Sequence, residues 1–221
     1  MKKSPFRILL IDDHPLITEA YRYAVETTEI FPKDTLQFDS AHDIATAVHF
    51  MNSYMYNLIF LDIQLPPLPE EKLYSGEDLG LRIRKAHPET KIMMITTYND
   101  HYRIQNIIKQ VDPDGFIVKN DLSAEELRNG IKKVLTSPPF YSHRVLHSFR
   151  KFFSNDFIID KPDRQLLFYL DQGATLGEIS SLLSLSRAAI VKRKQRLIDI
   201  FDTAKGDDRQ LLQAAREKGF I

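Results

Sequence analysis

Carboxylate side chains directly follow two apolar segments of this sequence. The run 57–61 leads into Asp62, and the run 6–11 leads into the neighbours Asp12 and Asp13. Two adjacent carboxylates repel each other, so at the end of a buried segment they need a cation, and a hard divalent ion such as Mg²⁺ suits them best. The sequence therefore predicts a metal site with a third carboxylate close to it.

Two further apolar segments end on groups that could hold phosphoryl oxygens. The run 91–95 leads into the hydroxyl of Thr96, and the run 115–118 leads into the ammonium of Lys119. Taken singly, each group has an ordinary explanation as a cap or a solvated side chain. Taken together with the acids, they are typical of phosphoryl transfer, in which a carboxylate acts as nucleophile beside a metal-binding acid pair.

Hydrophobic periodicity predicts the elements that carry these positions. Short apolar runs alternate with amphipathic segments, which indicates a flavodoxin-like α/β fold with a doubly wound, five-stranded parallel sheet. The carboxyl ends of parallel strands meet in one crevice, so the acids, Thr96 and Lys119 should share a site there. The predicted strands are 6–11, 36–40, 57–62, 91–96 and 115–119, and the predicted helices are 14–28, 41–51, 77–86, 99–110 and 123–135. The predicted buried stripe of the first helix consists of Leu16, Ile17, Ala20, Ala24 and Val25.

The segment 64–76 interrupts this regular pattern. It contains three prolines, has no hydrophobic period and ends on Gly76. A connection of this length between a strand and a helix is unusual, and such loops are usually functional or mobile.

The sequence changes character after residue 136. Pro138 and Pro139 end the preceding helix, and the segment 137–156 shows no strand alternation. We expect a linker there, with a short helix at 144–152 and aromatic side chains that pack within the chain.

Two helices joined by a very short turn follow at 175–183 and 187–201. Thr175 and Glu178 match a capping box, and Ser186 is placed to cap the second helix. This arrangement is the helix-turn-helix pattern. The second helix has no acid before Asp199 and concentrates cations in its first three turns, which favours contact with double-stranded DNA over a merely solvated basic face. The cations are Arg187, Lys192, Arg193, Lys194 and Arg196.

The N-terminal motifs resemble those of the receiver domain of two-component response regulators. The matching stretches are 11–15 (Ile-Asp-Asp-His-Pro), 61–66 (Leu-Asp-Ile-Gln-Leu-Pro), 95–96 (Ile-Thr) and 115–119 (Gly-Phe-Ile-Val-Lys), and the resemblance covers residues 4–136. The resemblance implies a role for each matched position. Asp62 would be the phosphoacceptor, and Asp12, Asp13 and the backbone carbonyl of Gln64 would form a Mg²⁺ site together with it. Lys119 would be the salt-bridging lysine. Thr96 would be the switch hydroxyl, and Phe116 would be the aromatic residue whose rotamer follows the switch.

Three positions depart from the pattern of that family, and one of them is Asn120, where many receivers have a proline after the lysine. The family's glycine usually comes soon after the proline of the Asp62 loop, whereas here Gly76 follows only after several additional residues. Thr97 replaces the usual small residue after the switch hydroxyl, and its bulk could slow the access of water or phosphodonor to the site.

The C-terminal segment 157–221 resembles the LuxR-type helix-turn-helix domain of NarL/FixJ-type response regulators. The resemblance rests on Gln172-Gly173, Glu178-Ile179, Leu185-Ser186, the helix 190–201 and the closing stretch 214–221. It implies a smaller all-α DNA-binding domain at 157–221, joined by a linker at 137–156 to a receiver domain at 1–136. The expected protein is a transcription regulator and not an enzyme. Its expected partners are a sensor histidine kinase, double-stranded DNA and, when phosphorylated or DNA-bound, a second copy of itself.

Composition limits the alternatives. The 221 residues include no cysteine, which excludes disulfides, thiolate catalysis and cysteine-based zinc sites. The formal net charge is zero, so any affinity for DNA has to come from local clustering of cations. No apolar run approaches the length of about 18 residues that a membrane span needs, so we expect no membrane segment and a cytoplasmic location.

Two other classes of protein stay open. A phosphohydrolase with an aspartyl nucleophile uses similar chemistry, but such enzymes usually carry a second acid two residues after the nucleophile, where this sequence has Gln64. A signalling adaptor whose helical domain binds protein would agree with the zero net charge and with the unusual opening of that domain at 159–164.

Overall fold

The structure, a computed structural model, describes residues 5–28, 30, 32, 35–98, 101–150, 159–201, 203 and 208–221. These residues group into two compact units. The first unit contains the described residues up to 98 together with 110–150, and the second contains 101–109 together with the described residues from 159 onwards. Among the helices so described, none combines the length and the apolar character that crossing a membrane requires.

A parallel sheet forms the centre of the first unit. Its strands are β1 (Phe6–Ile11), β2 (Leu36–Ala41), β3 (Leu58–Asp62), β4 (Lys91–Thr96), β5 (Gly115–Val118) and β6 (Phe140–Tyr141), in the order β2-β1-β3-β4-β5-β6. Every residue of β3 and β5 is buried, which explains why the central strands read as continuous apolar runs without alternation. The predicted doubly wound α/β fold is confirmed, whereas the predicted number of five strands is wrong.

The sixth strand lies in the segment that was predicted to be a linker without strands. The N–H of Phe140 donates to the carbonyl of Asp114 at 2.9 Å, and the N–H of Ser142 donates to the carbonyl of Phe116 at 3.0 Å. The Phe140 ring packs against the core and against Gly130, where a Cβ would come within 2.9 Å of it. A strand of two residues is too short for alternation to be visible in the sequence, and therefore the prediction missed it.

Six helices belong wholly or partly to this unit, and the bounds of the first five are close to the predicted ones. They are α1 (Pro15–Glu26), α2 (Ile44–Ser53), α3 (Gly76–Ala86), α4 (His101–Val111), α5 (Ala124–Thr136) and α6 (His143–Arg150). Helix α6 corresponds to the short helix predicted at 144–152, and the remainder of the predicted linker, 151–156, lies outside the described residues. Helix α4 is divided between the two units after residue 109.

The buried stripe of α1 differs from the predicted one. Leu16 is 85% exposed and Ala20 is exposed as well, whereas Tyr21 is fully buried beside Ala24 and Val25. The prediction counted aliphatic residues only. Tyr21 has the helical spacing from Ala24 and Val25 that a buried face requires, so the stripe includes a phenol hydroxyl.

The second unit is helical. Its helices are α7 (Lys161–Asp171), α8 (Leu176–Leu183), α9 (Arg187–Phe201) and α10 (Asp208–Glu217), together with residues 101–109 of α4. Capping boxes open α7 at Asp160 and α8 at Thr175, the second as predicted. Ser184, in the left-handed conformation with φ 53°, ends α8 and allows α9 to begin at Arg187. The predicted helix-turn-helix is therefore present, and a core that includes Ile179, Ile190 and Leu197 joins its helices.

Candidate functional site

Parallel register brings the chemically active side chains to one edge of the sheet. Asp12 directly follows β1, Asp62 ends β3, Thr96 ends β4 and Lys119 directly follows β5. In the register of the parallel strands, these four positions lie at nearly the same height along the strand direction. Residues far apart in the sequence thus meet in the crevice that parallel strands form at their carboxyl ends.

The ammonium of Lys119 binds two carboxylates at once. Its Nζ lies 2.7 Å from Oδ2 of Asp62 and 2.9 Å from Oδ2 of Asp12. Asp12 is fully buried and Asp62 is 2% exposed. Burial raises the pKa of Asp62 and outweighs the opposing effect of Lys119. Burial would lower the pKa of Lys119, but its bonds to the two carboxylates hold that pKa above its ordinary value. Two buried acids therefore share one cation.

Asp13 adds further negative charge to the site. Asp12, Asp13 and His14 each offer one ligand atom, and these atoms lie within 4.8 Å of one another. The N–H of His14 also donates to Oδ1 of Asp12 at 3.1 Å. An oxygen-rich cluster whose carboxylates outnumber its resident ammonium fits a hard divalent cation such as Mg²⁺.

The predicted switch residues lie in the two strands beyond Asp62. Thr96 is fully buried, and its Oγ1 accepts a hydrogen bond from the N–H of Tyr98 at 3.0 Å. Phe116 is fully buried in β5. The Thr96 hydroxyl is thus held by the first turn of the β4–α4 connection.

Gln64 and Thr97 link the connections that follow β3 and β4. The backbone N–H of Gln64 donates to Oδ1 of Asp62 at 3.1 Å. The side-chain carbonyl of Gln64 accepts a hydrogen bond from the hydroxyl of Thr97, and both residues are exposed. The position that was expected to hinder access by its bulk is therefore tied to the residue two positions after Asp62.

The long loop after β3 has a defined conformation. Leu68 and Leu73 form an antiparallel bridge, and the side chain of Leu73 is buried. The loop closes where the N–H of Gly76 donates to the carbonyl of Ile63 at 2.9 Å. A Cβ at Gly76 would lie 1.9 Å from the carbonyl oxygen of Asp62, so glycine alone lets α3 begin against that backbone.

Three of the five cations predicted for DNA contact lie on an open groove along α9. Arg187, Lys192 and Arg196 are exposed, and the aliphatic side chains of Ala188 and Val191 line the same groove between them. This face combines charge with small apolar side chains.

The other two cations are less exposed and are bound by acids of the chain, and Arg196 also reaches one of these acids, with its Nη1 3.5 Å from Oδ2 of Asp163. Nη1 of Arg193 lies 2.8 Å from Oδ1 of Asp160 and 2.7 Å from Oδ1 of Asp163, and Asp163 is fully buried. Lys194 forms an ion pair with Asp208. The prediction placed all five cations together because they are close in the sequence. It could not foresee the acids that bind Arg193 and Lys194, since these acids lie far away in the sequence.

Sequence reasoning missed one side chain beside the acids. The hydroxyl of Tyr21 donates to Oδ2 of Asp12 at 3.0 Å, and its ring stacks on Phe60 with a centroid distance of 5.2 Å. The only signal was the helical spacing of Tyr21 on the buried face of α1, because no motif around the acids includes it.

An acid cluster, a buried carboxylate and a bridging lysine meet at the carboxyl edge of a doubly wound sheet, and a helix-turn-helix follows later in the chain. The family described as "Response regulator receiver domain" matches residues 8–132. The chain therefore belongs to the response regulator receiver family. Its interpretation from sequence as a NarL/FixJ-type two-component response regulator that controls transcription is confirmed.

Two relatives and one solved structure match this chain over most of their length. The Fimbriae Z protein of Salmonella typhimurium (strain LT2) is 23% identical over 223 residues, which cover 92% of this chain and 98% of the relative. The nitrate/nitrite response regulator protein NarP of Escherichia coli (strain K12) is 24% identical over 193 residues, covering 85% of this chain and 84% of NarP. RcsB of Salmonella enterica serovar Typhimurium, in a structure with promoter rprA and the phosphomimetic BeF3⁻, gives a TM-score of 0.69 at 17% identity, covering 96% of this chain and 98% of RcsB. At this identity the structural likeness shows the fold.

Proposed function

We propose that a sensor histidine kinase transfers a phosphoryl group to Asp62 and that this modification controls dimerisation and DNA binding. The observation that carries the proposal is the position of Lys119, whose Nζ lies 2.7 Å from Asp62 and 2.9 Å from Asp12. An ammonium already fixed beside the acceptor can stabilise phosphoryl oxygens without a costly rearrangement.

In the transfer, a carboxylate oxygen of Asp62 forms a bond to phosphorus while the nitrogen–phosphorus bond of the kinase's phosphohistidine breaks. The imidazole nitrogen keeps the electron pair of the broken bond. Asp12, Asp13, Asp62 and the backbone carbonyl of Gln64 would hold Mg²⁺, which when bound offsets the charge of the acids and of the phosphoryl oxygens. After the transfer, Lys119 stays beside Asp62 and forms an ion pair with an oxygen of the new phosphoryl group.

Thr96 provides the first step of the response. Phosphorylation adds a charge of about −1.5 to −2 and new acceptor oxygens. The Thr96 hydroxyl would leave its position beside the N–H of Tyr98 and donate to the phosphoryl group, and Phe116 would follow into the space that Thr96 vacates.

Residues 101–109 of α4 group with the C-terminal helices. Within that helical unit the side chain of Asn106 donates to the carbonyl of Ile159 at 3.0 Å and accepts from its N–H at 2.7 Å. These two buried bonds tie this part of α4 to the residues just before α7.

Helix α9 is the proposed recognition helix. Arg187, Lys192 and Arg196 would bind phosphates, and Ala188 and Val191 leave room for base edges and thymine methyl groups. RcsB, which shares the fold, has been solved as two dimers bound to two parallel DNAs. For this chain we infer a homodimer that places one α9 at each of two half-sites.

The acceptor is tested by measuring intact mass after incubation with Mg²⁺ and acetyl phosphate, and separately with a phosphorylated histidine kinase. We expect the mass of one phosphoryl group to be added to the wild type and not to an Asp62→Asn variant. A gain in dimer on size-exclusion chromatography should accompany the adduct. An equal adduct on the variant would overturn the assignment of Asp62.

DNA binding is tested by the salt dependence of affinity for genomic fragments carrying the chain's own promoter region. Each phosphate that a cation neutralises contributes a slope of about −0.9 to log K against log salt. No measurable affinity for these fragments at low salt, where cation–phosphate contacts are strongest, would favour a helical domain that binds protein.

A further inference from the structure

We propose that Tyr21 is a positioning residue for the metal site: its buried hydroxyl holds the carboxylate of Asp12 so that the carboxylate oxygen opposite the hydroxyl is available to the cation. This inference rests on the proposed binding of Mg²⁺ at the acid pair and adds a residue that no motif of the sequence contains.

The argument begins with the hydrogen bonds of Asp12. Its Oδ2 accepts from the hydroxyl of Tyr21 at 3.0 Å and lies 2.9 Å from Nζ of Lys119. Its Oδ1 accepts from the N–H of His14 at 3.1 Å and lies 3.4 Å from Nδ1 of the same residue, whose side chain is 68% exposed. A carboxylate oxygen has two lone pairs, so the two donors saturate Oδ2. Oδ1 accepts one short hydrogen bond, and a cation that takes its second lone pair has to displace only the exposed imidazole of His14.

Tyrosine suits this task because its ring is immobilised. Tyr21 is fully buried, and its ring stacks on Phe60 of β3 at 5.2 Å with an interplanar angle of 15°. Phe60 lies two residues before Asp62 in the same strand. The ring that carries the hydroxyl and the strand that carries the acceptor are thus packed against each other, and this packing fixes Asp12 relative to Asp62.

Tyr21 acts only through Asp12, and this determines what its removal should change. Partners of metal ligands typically contribute a factor of about 10 to 100 in metal affinity. The affinity for Mg²⁺ should fall, whereas the rate of phosphorylation at saturating Mg²⁺ should stay nearly unchanged, because Lys119 and Asp62 are intact.

The test compares two variants that each lose one tyrosine hydroxyl bonded to a carboxylate. Tyr21→Phe keeps the ring that stacks on Phe60. Tyr56→Phe is the matched control, because the hydroxyl of Tyr56 likewise donates to a carboxylate, Oδ2 of Asp39, at 2.8 Å. Mg²⁺ is titrated into each full-length protein by calorimetry with no phosphodonor present. We expect binding to be roughly tenfold weaker in Tyr21→Phe and unchanged in Tyr56→Phe.

A second readout separates positioning from a general loss of structure. The rate of phosphorylation by acetyl phosphate is measured as a function of Mg²⁺ concentration. The half-saturating concentration should rise by the same factor as the dissociation constant, while the maximal rate stays at the wild-type value. Wild-type Mg²⁺ affinity in Tyr21→Phe overturns the inference, and so does a lower maximal rate with unchanged affinity.

The wild-type protein supplies a readout that does not depend on the folding of a variant. NMR signals of the Tyr21 ring should shift during a Mg²⁺ titration, and the midpoint of this shift should equal the midpoint of the calorimetric titration. The signals of the Tyr56 ring should not shift. A Tyr21 signal unmoved by bound Mg²⁺ overturns the inference and leaves the proposed function standing. A wild type that binds no Mg²⁺ at all overturns both.

Discussion

The ammonium of Lys119 lies 2.7 Å from Oδ2 of Asp62, and the Lys119 side chain is 14% exposed. The same ammonium lies 2.9 Å from Asp12, so one cation serves two buried carboxylates. An ion pair in such surroundings stabilises the fold only while its charges stay balanced. In the metal-free protein, Lys119 should therefore stabilise the fold, whereas the charge of Asp62 should destabilise it.

We expect Lys119→Met to lower the free energy of unfolding by about 3 kcal/mol in the absence of Mg²⁺, because it leaves two buried carboxylates without a cation. Asp62→Asn should raise the free energy of unfolding by about 1 kcal/mol, since it removes one of two like charges that compete for the same ammonium. Urea unfolding in the presence of a chelator, followed by circular dichroism, measures both. A loss of stability in Asp62→Asn would show that the ion pair outweighs the burial of the Asp62 charge.

Gly76 can be compared with a second glycine at a helix start. A Cβ at Gly76 would lie 1.9 Å from the carbonyl oxygen of Asp62, whereas a Cβ at Gly177 would meet only the hydroxyl of Thr175 at 3.9 Å. Gly76→Ala should therefore destabilise the protein by about 3 kcal/mol, a cost in the range of overpacking a dense interior. Gly177→Ala should stabilise it by about 0.5 kcal/mol, because alanine favours the helix.

Thermal and urea unfolding of both glycine variants check this prediction. Gly76→Ala should also slow phosphorylation, because the backbone of Asp62 has to shift to admit the methyl group. Normal phosphorylation and normal stability in Gly76→Ala would mean that the loop after β3 moves away at little cost.

The meeting of the carboxylates, Thr96 and Lys119 could be predicted because each of these chemically active residues stands at the end of a strand. Asp12, Asp62, Thr96 and Lys119 each follow an apolar run, and parallel register alone brings such positions together. Their convergence needs no knowledge of side-chain packing.

Other features were hidden because they depend on pairs of residues that are distant in the sequence. Arg193 has the same local setting as Lys192, and only the position of α7 brings Asp160 and Asp163 to its guanidinium. Tyr21 looks like any aromatic residue of an amphipathic helix until its hydroxyl is seen against Asp12. The two residues of β6 carry no periodicity at all, and their pairing follows from the edge that β5 leaves open.

Asp114 predicts a pH dependence at the opposite end of the sheet. Its carboxylate lies 2.8 Å from Nη2 of Arg84 and 2.9 Å from Nζ of Lys91, and it accepts the N–H of Ile92 at 3.0 Å. Burial opposes ionisation of Asp114, but the bonds from Arg84, Lys91 and Ile92 prevail and hold its pKa below the ordinary value.

A carboxyl group whose pKa is lower in the folded state stabilises the protein above its unfolded pKa, and this contribution is lost as the pH falls through the folded pKa. The wild type should therefore exceed Asp114→Asn in stability by about 2 kcal/mol at pH 7, and the difference should shrink below about pH 4. Urea unfolding of both proteins across this range checks the prediction. A difference that stays constant down to the acid unfolding of the wild type would contradict it.

Arg193 and Lys192 are neighbours in α9 whose removal should have different consequences. Arg193 binds Asp160 and the buried Asp163, so Arg193→Ala leaves Asp160 without this cation and Asp163 with only Arg196 at 3.5 Å, and it should cost about 3 kcal/mol of stability. Lys192 is exposed on the groove of α9, so Lys192→Ala should leave stability unchanged within about 0.5 kcal/mol. It should also weaken DNA binding and reduce the salt slope by about 1. Urea unfolding together with fluorescence anisotropy on labelled DNA separates the two effects. The opposite result would be an Arg193→Ala variant with wild-type stability, weaker DNA binding and a shallower salt slope. It would show that Arg193 contacts a DNA phosphate and that its bonds to Asp160 and Asp163 do not stabilise the protein.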